Sequence, residues 1–133
     1  MKIVLSATLA ALCFVAASHA TARENAPTAA MRQFWSKFQS AVAKSDKNSV
    51  AALTKFPLGM PYGVPSIKTR AQLISGYGKI FDAETKKCFA GARPQVEDAT
   101  AKKFSISCGE AMMYWFESVG GTYKFTAVDN VNE

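Results

Sequence analysis

Side chains that could carry out covalent or acid–base chemistry are sparse in this sequence of 133 residues. The single histidine, His19, and one of the three cysteines, Cys13, lie in an apolar N-terminal stretch. Histidine is the usual side chain for proton transfer near neutral pH and a common zinc ligand. If that stretch is removed, the remaining chain has no Ser–His or Cys–His pair. We therefore expect no catalytic residue, no bound metal and no cofactor.

The N-terminal segment, residues 1–20, has the pattern of a secretory signal peptide. Lys2 precedes an apolar run over residues 3–17, and the small residues Ser18 and Ala20 occupy the positions that a signal peptidase reads. The run is shorter than the roughly 20 apolar residues of a membrane-spanning helix, so a membrane anchor is the weaker alternative. We expect an exported protein, periplasmic or secreted.

The rest of the chain is expected to hold a polar, flexible leader, residues 21–26, and one domain, residues 27–133. The whole chain has a formal net charge of +6, and its basic excess is concentrated in residues 32–79. This charge is compatible with an acidic partner or a membrane surface, although lysines spread over solvated helix faces explain it more simply. There is no dense basic run, so we expect no nucleic-acid partner.

Cys88 and Cys108 are the two cysteines outside the N-terminal stretch. An even number of cysteines in an exported chain is typical of a structural disulfide. Two cysteines are too few for a structural zinc site, and they lie far from a C-x-x-C redox spacing. We predict a disulfide between them, with two separate buried thiols as the alternative.

An amphipathic helix of about four turns is predicted after Pro27, because apolar residues recur at helical spacing. These residues are Met31, Phe34, Trp35, Phe38, Ala41 and Val42. Asp46 is predicted to cap a second, shorter helix. That helix must end before Phe56, because Pro57 disfavours the helical conformation in the residue before it.

The segment 56–66, FPLGMPYGVPS, is predicted to be a stiff, irregular loop, because it is rich in proline and glycine. It carries apolar side chains that should lie against the domain. The loop either forms the rim of a binding cleft or, more simply, is a packed connector.

Thr69 and Gln72 have the spacing of a capping box, which predicts a third helix through Phe81 with Tyr77 on its apolar face. Asp82 is predicted to cap a last helix, which Gly91 ends.

Beyond this point the hydrophobic period changes from 3.6 to 2, which predicts strands over residues 104–108 and, more weakly, near residues 95–96. Gly120 and Gly121 are predicted to form the centre of a tight hairpin turn, which requires positive φ. The turn fixes the register of the hairpin. The predicted pairs are Glu117 with Lys124, Phe116 with Phe125, Trp115 with Thr126, and Tyr114 with Ala127.

In this register Tyr114 and Phe116 face the core, whereas Met113, Trp115 and Val128 lie on the outer face of the sheet. A tryptophan on an outer face predicts that something covers it. The cover is either a loop or terminus of the same chain or a second copy in a homodimer.

Helices followed by an antiparallel sheet predict an α+β domain. The segments FWSKFQSAVAKSDKNSVAALTKFP, residues 73–81 ending in GKIFD, and MYWFESVGGTYKFTAVDN follow this order of elements. In these segments the chain resembles small secreted members of the nuclear transport factor 2-like superfamily. The resemblance implies a cone, in which a curved sheet wraps around helices. Such cones often hold an interior pocket and are often dimeric through the outer sheet face.

Some enzymes of that superfamily, such as ketosteroid isomerases and scytalone dehydratase, hold acids, tyrosines or histidines in the cone. No acid lies on the inward face of the predicted hairpin here, so no catalytic residue carries over. Asp46 and Asp82 are interpreted as helix caps, and Glu110 as a turn residue.

The function predicted from these residues is a non-catalytic, exported binding domain for a small apolar ligand or a protein. Its site is expected at the open end of the cone, among Tyr62, Tyr77 and Tyr114. Two alternatives stay open: a small isomerase-like or dehydratase-like enzyme that uses carboxylate and tyrosine groups, and an exported inhibitor or immunity protein.

Overall fold

The computed structural model describes residues 26–132. The predicted signal peptide and all but the last residue of the predicted leader lie outside this range. Within it, helices come before most of a five-stranded mixed sheet, which confirms the α+β class. The elements in chain order are α1 (Ala29–Ala43), α2 (Lys47–Ala52), β1 (Thr54–Gly59), α3 (Arg70–Ser75), α4 (Tyr77–Ile80), α5 (Ala83–Gly91), β2 (Gln95–Val96), β3 (Lys103–Cys108), β4 (Met112–Val119) and β5 (Thr122–Asn130).

The helix starts follow from side-chain caps. Thr28 begins α1 by accepting the Met31 N–H at 3.1 Å. Asp46 caps α2, as predicted, by accepting the backbone N–H of Ser49 at 3.2 Å. Asp82 caps α5, also as predicted. These caps satisfy amide groups that have no partner inside their own helix. None of the helices in residues 26–132 is long and apolar enough to cross a membrane.

The predicted third helix is divided into two short helices, α3 and α4, which meet at Gly76. A glycine inside a helix is unfavourable by about 1 kcal/mol relative to alanine, and here the regular hydrogen bonding stops at that residue. The capping box is also displaced. The backbone N–H of Gln72 donates to the Thr69 hydroxyl at 3.2 Å, but the Gln72 side chain accepts from the N–H of Lys68 at 2.8 Å.

The segment 56–66 is not a loop throughout, because its first part belongs to β1. This strand lies at one edge of the sheet and pairs with β5 in parallel, so the prediction of a purely antiparallel sheet was wrong. An edge position suits Pro57, which has no N–H for a second neighbour. The remainder of the segment is held by Leu58 and Ile67, whose N–H and C=O groups bond each other at 2.7 and 3.0 Å.

The sheet order is β1-β5-β4-β3-β2. The hairpin of β4 and β5 turns at Gly120 and Gly121, whose φ angles are 60° and 87°. This confirms the predicted turn. Glycine adopts such positive φ angles without the steric cost that other residues incur.

The predicted register of the hairpin is correct near the turn and wrong beyond it. Phe116 pairs with Phe125 as predicted, but a β-bulge then places Trp115 opposite Ala127 and Tyr114 opposite Val128. The extra residue on β5 changes the face of every residue that follows it. Val128 is therefore not on the outer face, where the predicted register would place it. It faces inward, with 4% of its surface exposed.

An aromatic core fills the space between α1 and the sheet. Phe38 lies at its centre, fully buried, with ring centroids 5.0 Å from Phe116 and 5.3 Å from Phe125. The rings of Trp35 and Phe89 meet edge to face at 5.1 Å and extend the core toward α5. This packing fixes the helices on the inner face of the sheet, and it leaves one end of the domain open.

Candidate functional site

A cleft of about 630 Å³ lies at that open end. It is bounded by residues 60–67, by α4 and the start of α5, and by the neighbouring ends of β3, β4 and β5. Most of its wall is apolar. The apolar side chains are Met60, Pro61, Val64, Pro65, Ile67, Ile80, Met112 and Val128. A concave, mostly apolar site of this size is typical of small-molecule binding.

The disulfide between Cys88 and Cys108 forms part of the cleft wall. It joins α5 to the end of β3, with 5.7 Å between the two Cα atoms. The predicted pairing is therefore present in the structure. The bond fixes the helix that carries Thr85 against the sheet that carries Tyr114.

A pair of buried hydroxyl groups lies in the otherwise apolar cleft. The Thr85 Oγ1 and Tyr114 Oη atoms are 3.2 Å apart and share a hydrogen bond. The two residues are 8% and 3% exposed, and both line the cleft. Burial raises the pKa of the Tyr114 hydroxyl, and the nearby charge of Asp82 raises it further. Tyr114 therefore keeps its proton at neutral pH and can donate a hydrogen bond.

Charged side chains also line the cleft. Asp82 lines it while capping α5, and its carboxylate accepts the Thr85 backbone N–H at 2.8 Å. Hydrogen bonds from the backbone N–H and from the side-chain hydroxyl of Thr85 lower the pKa of the Asp82 carboxyl. Glu84 and Lys79 also line the cleft. A carboxyl group with a lowered pKa is ionised and weakly basic at neutral pH, which is the opposite of what a general acid requires.

Replacing Asp82 by alanine is expected to lower the free energy of unfolding by about 1 kcal/mol at pH 7, because the cap of α5 is lost. The pKa of Asp82 is lower in the folded chain than in the unfolded chain. Its ionised form therefore stabilises the fold at a pH above the unfolded pKa. This stabilisation declines as the pH falls through the folded pKa.

Urea denaturation of the wild type and of Asp82→Ala between pH 7 and pH 3 measures the difference between their free energies of unfolding. This difference should shrink toward low pH. Asp82→Asn is the matched control, because asparagine keeps a capping oxygen without a charge. At pH 7 it should lower the free energy of unfolding by less than Asp82→Ala does. An Asp82→Ala difference that does not change with pH would contradict the role of the charge.

The three tyrosines predicted to form the site do not meet in the cleft. Tyr114 lines it, but Tyr62 is 91% exposed and is not among the lining residues. Tyr77 is buried behind the wall against Phe81, with ring centroids 4.9 Å apart. Burial raises the pKa of Tyr77, and its hydroxyl has no hydrogen-bond partner within residues 26–132. The neighbours of Tyr62, Pro61 and Val64, reach the cleft instead.

Two lining residues that sequence reasoning missed are Thr85 and Val128. Thr85 is the third residue after the capping Asp82, and a threonine there has an ordinary role in the first helical turn. Only the bulge in β5 directs Val128 inward. Neither residue has a local signal in the sequence that would reveal a place in the cleft.

The outer face of the sheet carries Met113 and Trp115, both half-buried. The Lys103 ammonium lies 4.4 Å from the centroid of the Trp115 rings and forms an ion pair with Glu117 at 3.6 Å. Ser105, the neighbour of Trp115 on β3, is fully buried and donates to a Glu97 carboxylate oxygen at 2.5 Å. The chain itself therefore covers part of the tryptophan.

Residues 26–132 contain no cluster of three or more histidine, cysteine, aspartate or glutamate side chains that could hold a metal ion. No protein-family model matches the sequence, and no curated protein matches it. The cleft combines an apolar wall with the Thr85–Tyr114 hydroxyl pair and with the charged side chains of Lys79, Asp82 and Glu84.

Proposed function

We propose that this protein is an exported, non-catalytic binding domain whose cleft holds a small, mostly apolar ligand. The observation that carries the proposal is the cleft of about 630 Å³, with apolar walls and the Thr85–Tyr114 hydroxyl pair inside it. Burial of an apolar ligand there contributes roughly 25 cal/mol for each Å² removed from water, before the costs of association. The hydroxyl pair supplies a polar contact that orients the ligand.

The alternative function is a small enzyme that uses carboxylate and tyrosine groups. It is disfavoured by the directions in which the pKa values of Asp82 and Tyr114, which both line the cleft, are shifted. The pKa of the Asp82 carboxyl is lowered and that of Tyr114 is raised. Acid–base catalysis is most effective when the pKa of the catalytic group lies near the working pH, and both groups are shifted away from neutrality.

We further propose membership of the nuclear transport factor 2-like superfamily. The helices packed on one face of a five-stranded mixed sheet, with a cleft at one end, support it. Export is proposed from the signal-peptide pattern of residues 1–20. A disulfide is compatible with an oxidising compartment outside the cytosol.

Two neighbouring residues of one loop allow a controlled test of the cleft. Val64 lines the cleft and is 50% exposed, whereas Tyr62 lies outside it. We expect Val64→Asp to weaken binding of an uncharged apolar dye, N-phenyl-1-naphthylamine, by about fivefold or more, because a charge replaces apolar contact area. Fluorescence titration of the dye measures the effect.

Tyr62→Asp is the matched control for that experiment, with the same introduced charge two residues away and no side chain in the cleft. It should leave the affinity within about twofold of the wild type. Equal weakening by both variants would show that charge on the loop, and not the cleft, governs the affinity.

We propose, as a separate matter, that the outer face around Met113 and Trp115 joins two copies in a homodimer. The dimer is supported by the partial burial of the Met113 and Trp115 side chains, since part of each stays exposed to solvent in the single chain. Trp115→Lys should then convert a dimer to a folded monomer in sedimentation equilibrium. Sedimentation of the wild type as a monomer at high concentration would reject the dimer and leave the cleft proposal intact.

A further inference from the structure

We propose that the ligand of the cleft carries a protonated amine on its apolar body, and that Asp82, Glu84 and the Tyr114 oxygen hold this ammonium group. The inference rests on the proposed function of the cleft and adds the chemical class of its ligand. It follows from the direction of the hydrogen bonds in the cleft and from the charges that line it.

The two hydroxyl hydrogens of the Thr85–Tyr114 pair are both used inside the protein. The Thr85 hydroxyl donates to the Asp82 carboxylate, which when ionised can only accept. The bond of 3.2 Å between Thr85 Oγ1 and Tyr114 Oη therefore takes its hydrogen from Tyr114. No other group of residues 26–132 donates to the Tyr114 oxygen. This oxygen consequently faces the cleft as a hydrogen-bond acceptor.

Two carboxylates of the cleft have no cationic partner in the part of the chain that the structure describes. Asp82 and Glu84 both line the cleft, whereas the one ion pair among residues 26–132 joins Lys103 to Glu117 on the outer face of the sheet. Hydrogen bonds hold the pKa of Asp82 low, so it is ionised at neutral pH. Lys79 also lines the cleft, from α4, and leaves one negative charge in excess.

A primary ammonium group matches these acceptors, because it has three hydrogens to donate and no lone pair. Hydrogen bonds with a charged partner are roughly twice as strong as neutral ones. Asp82 and Glu84 are exposed, whereas Tyr114 is 3% exposed, so the acceptors extend from the mouth of the cleft inward. The charged group can stay near water at the mouth while the apolar body contacts Ile80 and Val128.

Three probes with one ring system and different head groups test this class: 2-naphthylmethylamine, 2-naphthylmethanol and 2-naphthoate. We expect the amine, protonated at pH 7, to bind the wild-type protein about 3- to 10-fold more tightly than the alcohol, because it gains partly exposed ion pairs and charge-assisted hydrogen bonds. The carboxylate should bind more weakly than the alcohol. Competition with N-phenyl-1-naphthylamine reports all three affinities at the same site.

The advantage of the amine should also shrink as the salt concentration rises, because counterions screen the partly exposed carboxylates. The affinity for the alcohol should stay nearly constant over the same range. An advantage that does not change with salt would contradict an electrostatic origin.

Asp82→Asn combined with Glu84→Gln is expected to remove the advantage of the amine and to leave the affinity for the alcohol nearly unchanged. Asparagine keeps an oxygen that can cap α5. Asp46→Asn is the matched control, because Asp46 caps α2 in the same way but does not line the cleft. It should keep the advantage. Unchanged affinity for N-phenyl-1-naphthylamine, which is uncharged, shows that the cleft of each variant is intact.

Lys79→Gln should act in the opposite direction and strengthen binding of the amine, because it removes the positive charge that repels the ammonium group. Weaker binding of the amine by this variant would contradict the proposed balance of charges.

Equal binding of the amine and the alcohol, or tightest binding of the carboxylate, would overturn the inference and leave the cleft as a binding site. Persistence of the advantage in the Asp82→Asn, Glu84→Gln variant would also overturn it. Failure of N-phenyl-1-naphthylamine and of all three probes to bind would overturn both this inference and the proposed function.

Discussion

Replacing Phe38 by alanine is expected to lower the free energy of unfolding by about 3–5 kcal/mol. Phe38 is fully buried on α1, and its ring contacts aromatic rings from α1, from the strands and from the helices near the cleft. Truncation removes the transfer free energy of the ring. It also leaves a cavity that rigid aromatic neighbours cannot readily fill. The loss should clearly exceed the one expected for Asp82→Ala, which removes only a helix cap.

Urea denaturation followed by circular dichroism measures this loss. Tyr62→Ala is the matched control, since it also removes an aromatic ring but from a side chain that is 91% exposed. Its effect should stay within about 0.5 kcal/mol. If Phe38→Ala unfolds at nearly the wild-type urea concentration, α1 does not pack on the sheet as described.

Removing the disulfide should cause the second large decrease in the free energy of unfolding. The bond joins Cys88 and Cys108, which are 20 residues apart in the sequence. Closing a loop of that length stabilises a protein by roughly 3 kcal/mol, because it restricts the unfolded chain. We therefore expect Cys88→Ala combined with Cys108→Ala to lose about this amount. Changing both residues together avoids a free thiol.

The wild type under reducing conditions is the control for that double variant and should unfold at a similar urea concentration. Thiol titration of the denatured, oxidised wild type should detect no free thiol from Cys88 or Cys108. Two reactive thiols in the protein isolated under oxidising conditions, or equal stability of the oxidised and reduced forms, would contradict a stabilising bond.

The elements that could be predicted from the sequence are those with local signals. The apolar spacing of α1, the caps Asp46 and Asp82, and the glycine pair at the hairpin turn each depend on residues close together in the chain. Local signals of this kind act through backbone conformation and amphipathic periodicity. The structure accordingly places these elements where the sequence indicated.

The errors arose where distant residues decide the conformation. The strand β1 forms because β5, some 70 residues later, offers an edge to a segment that reads locally as a proline-rich loop. The bulge in β5 lies at Thr126, a residue whose β propensity gives no reason for an interrupted pairing. That one extra residue moved Val128 from the predicted outer surface to the wall of the cleft.

The candidate site was predictable only in part for the same reason. Tyr114 was expected in it, because its strand was correctly placed near the turn and its side chain faces inward in either register. Tyr62 and Tyr77 were chosen from their types and their elements, without knowledge of how those elements meet. Thr85 pairs with Tyr114 across 29 positions of sequence. No local pattern could indicate that contact.

Methyl NMR of the two neighbouring methionines tests the central claim, ligand binding in the cleft, most directly. Met112 lines the cleft, while Met113 lies on the opposite face of β4, where its sulfur accepts the Ser107 hydroxyl. During titration with N-phenyl-1-naphthylamine, we expect the Met112 methyl signal to move in a saturable way and the Met113 signal to stay in place. A shift of Met113 with Met112 unchanged, or no shift of either signal, would contradict binding in the cleft.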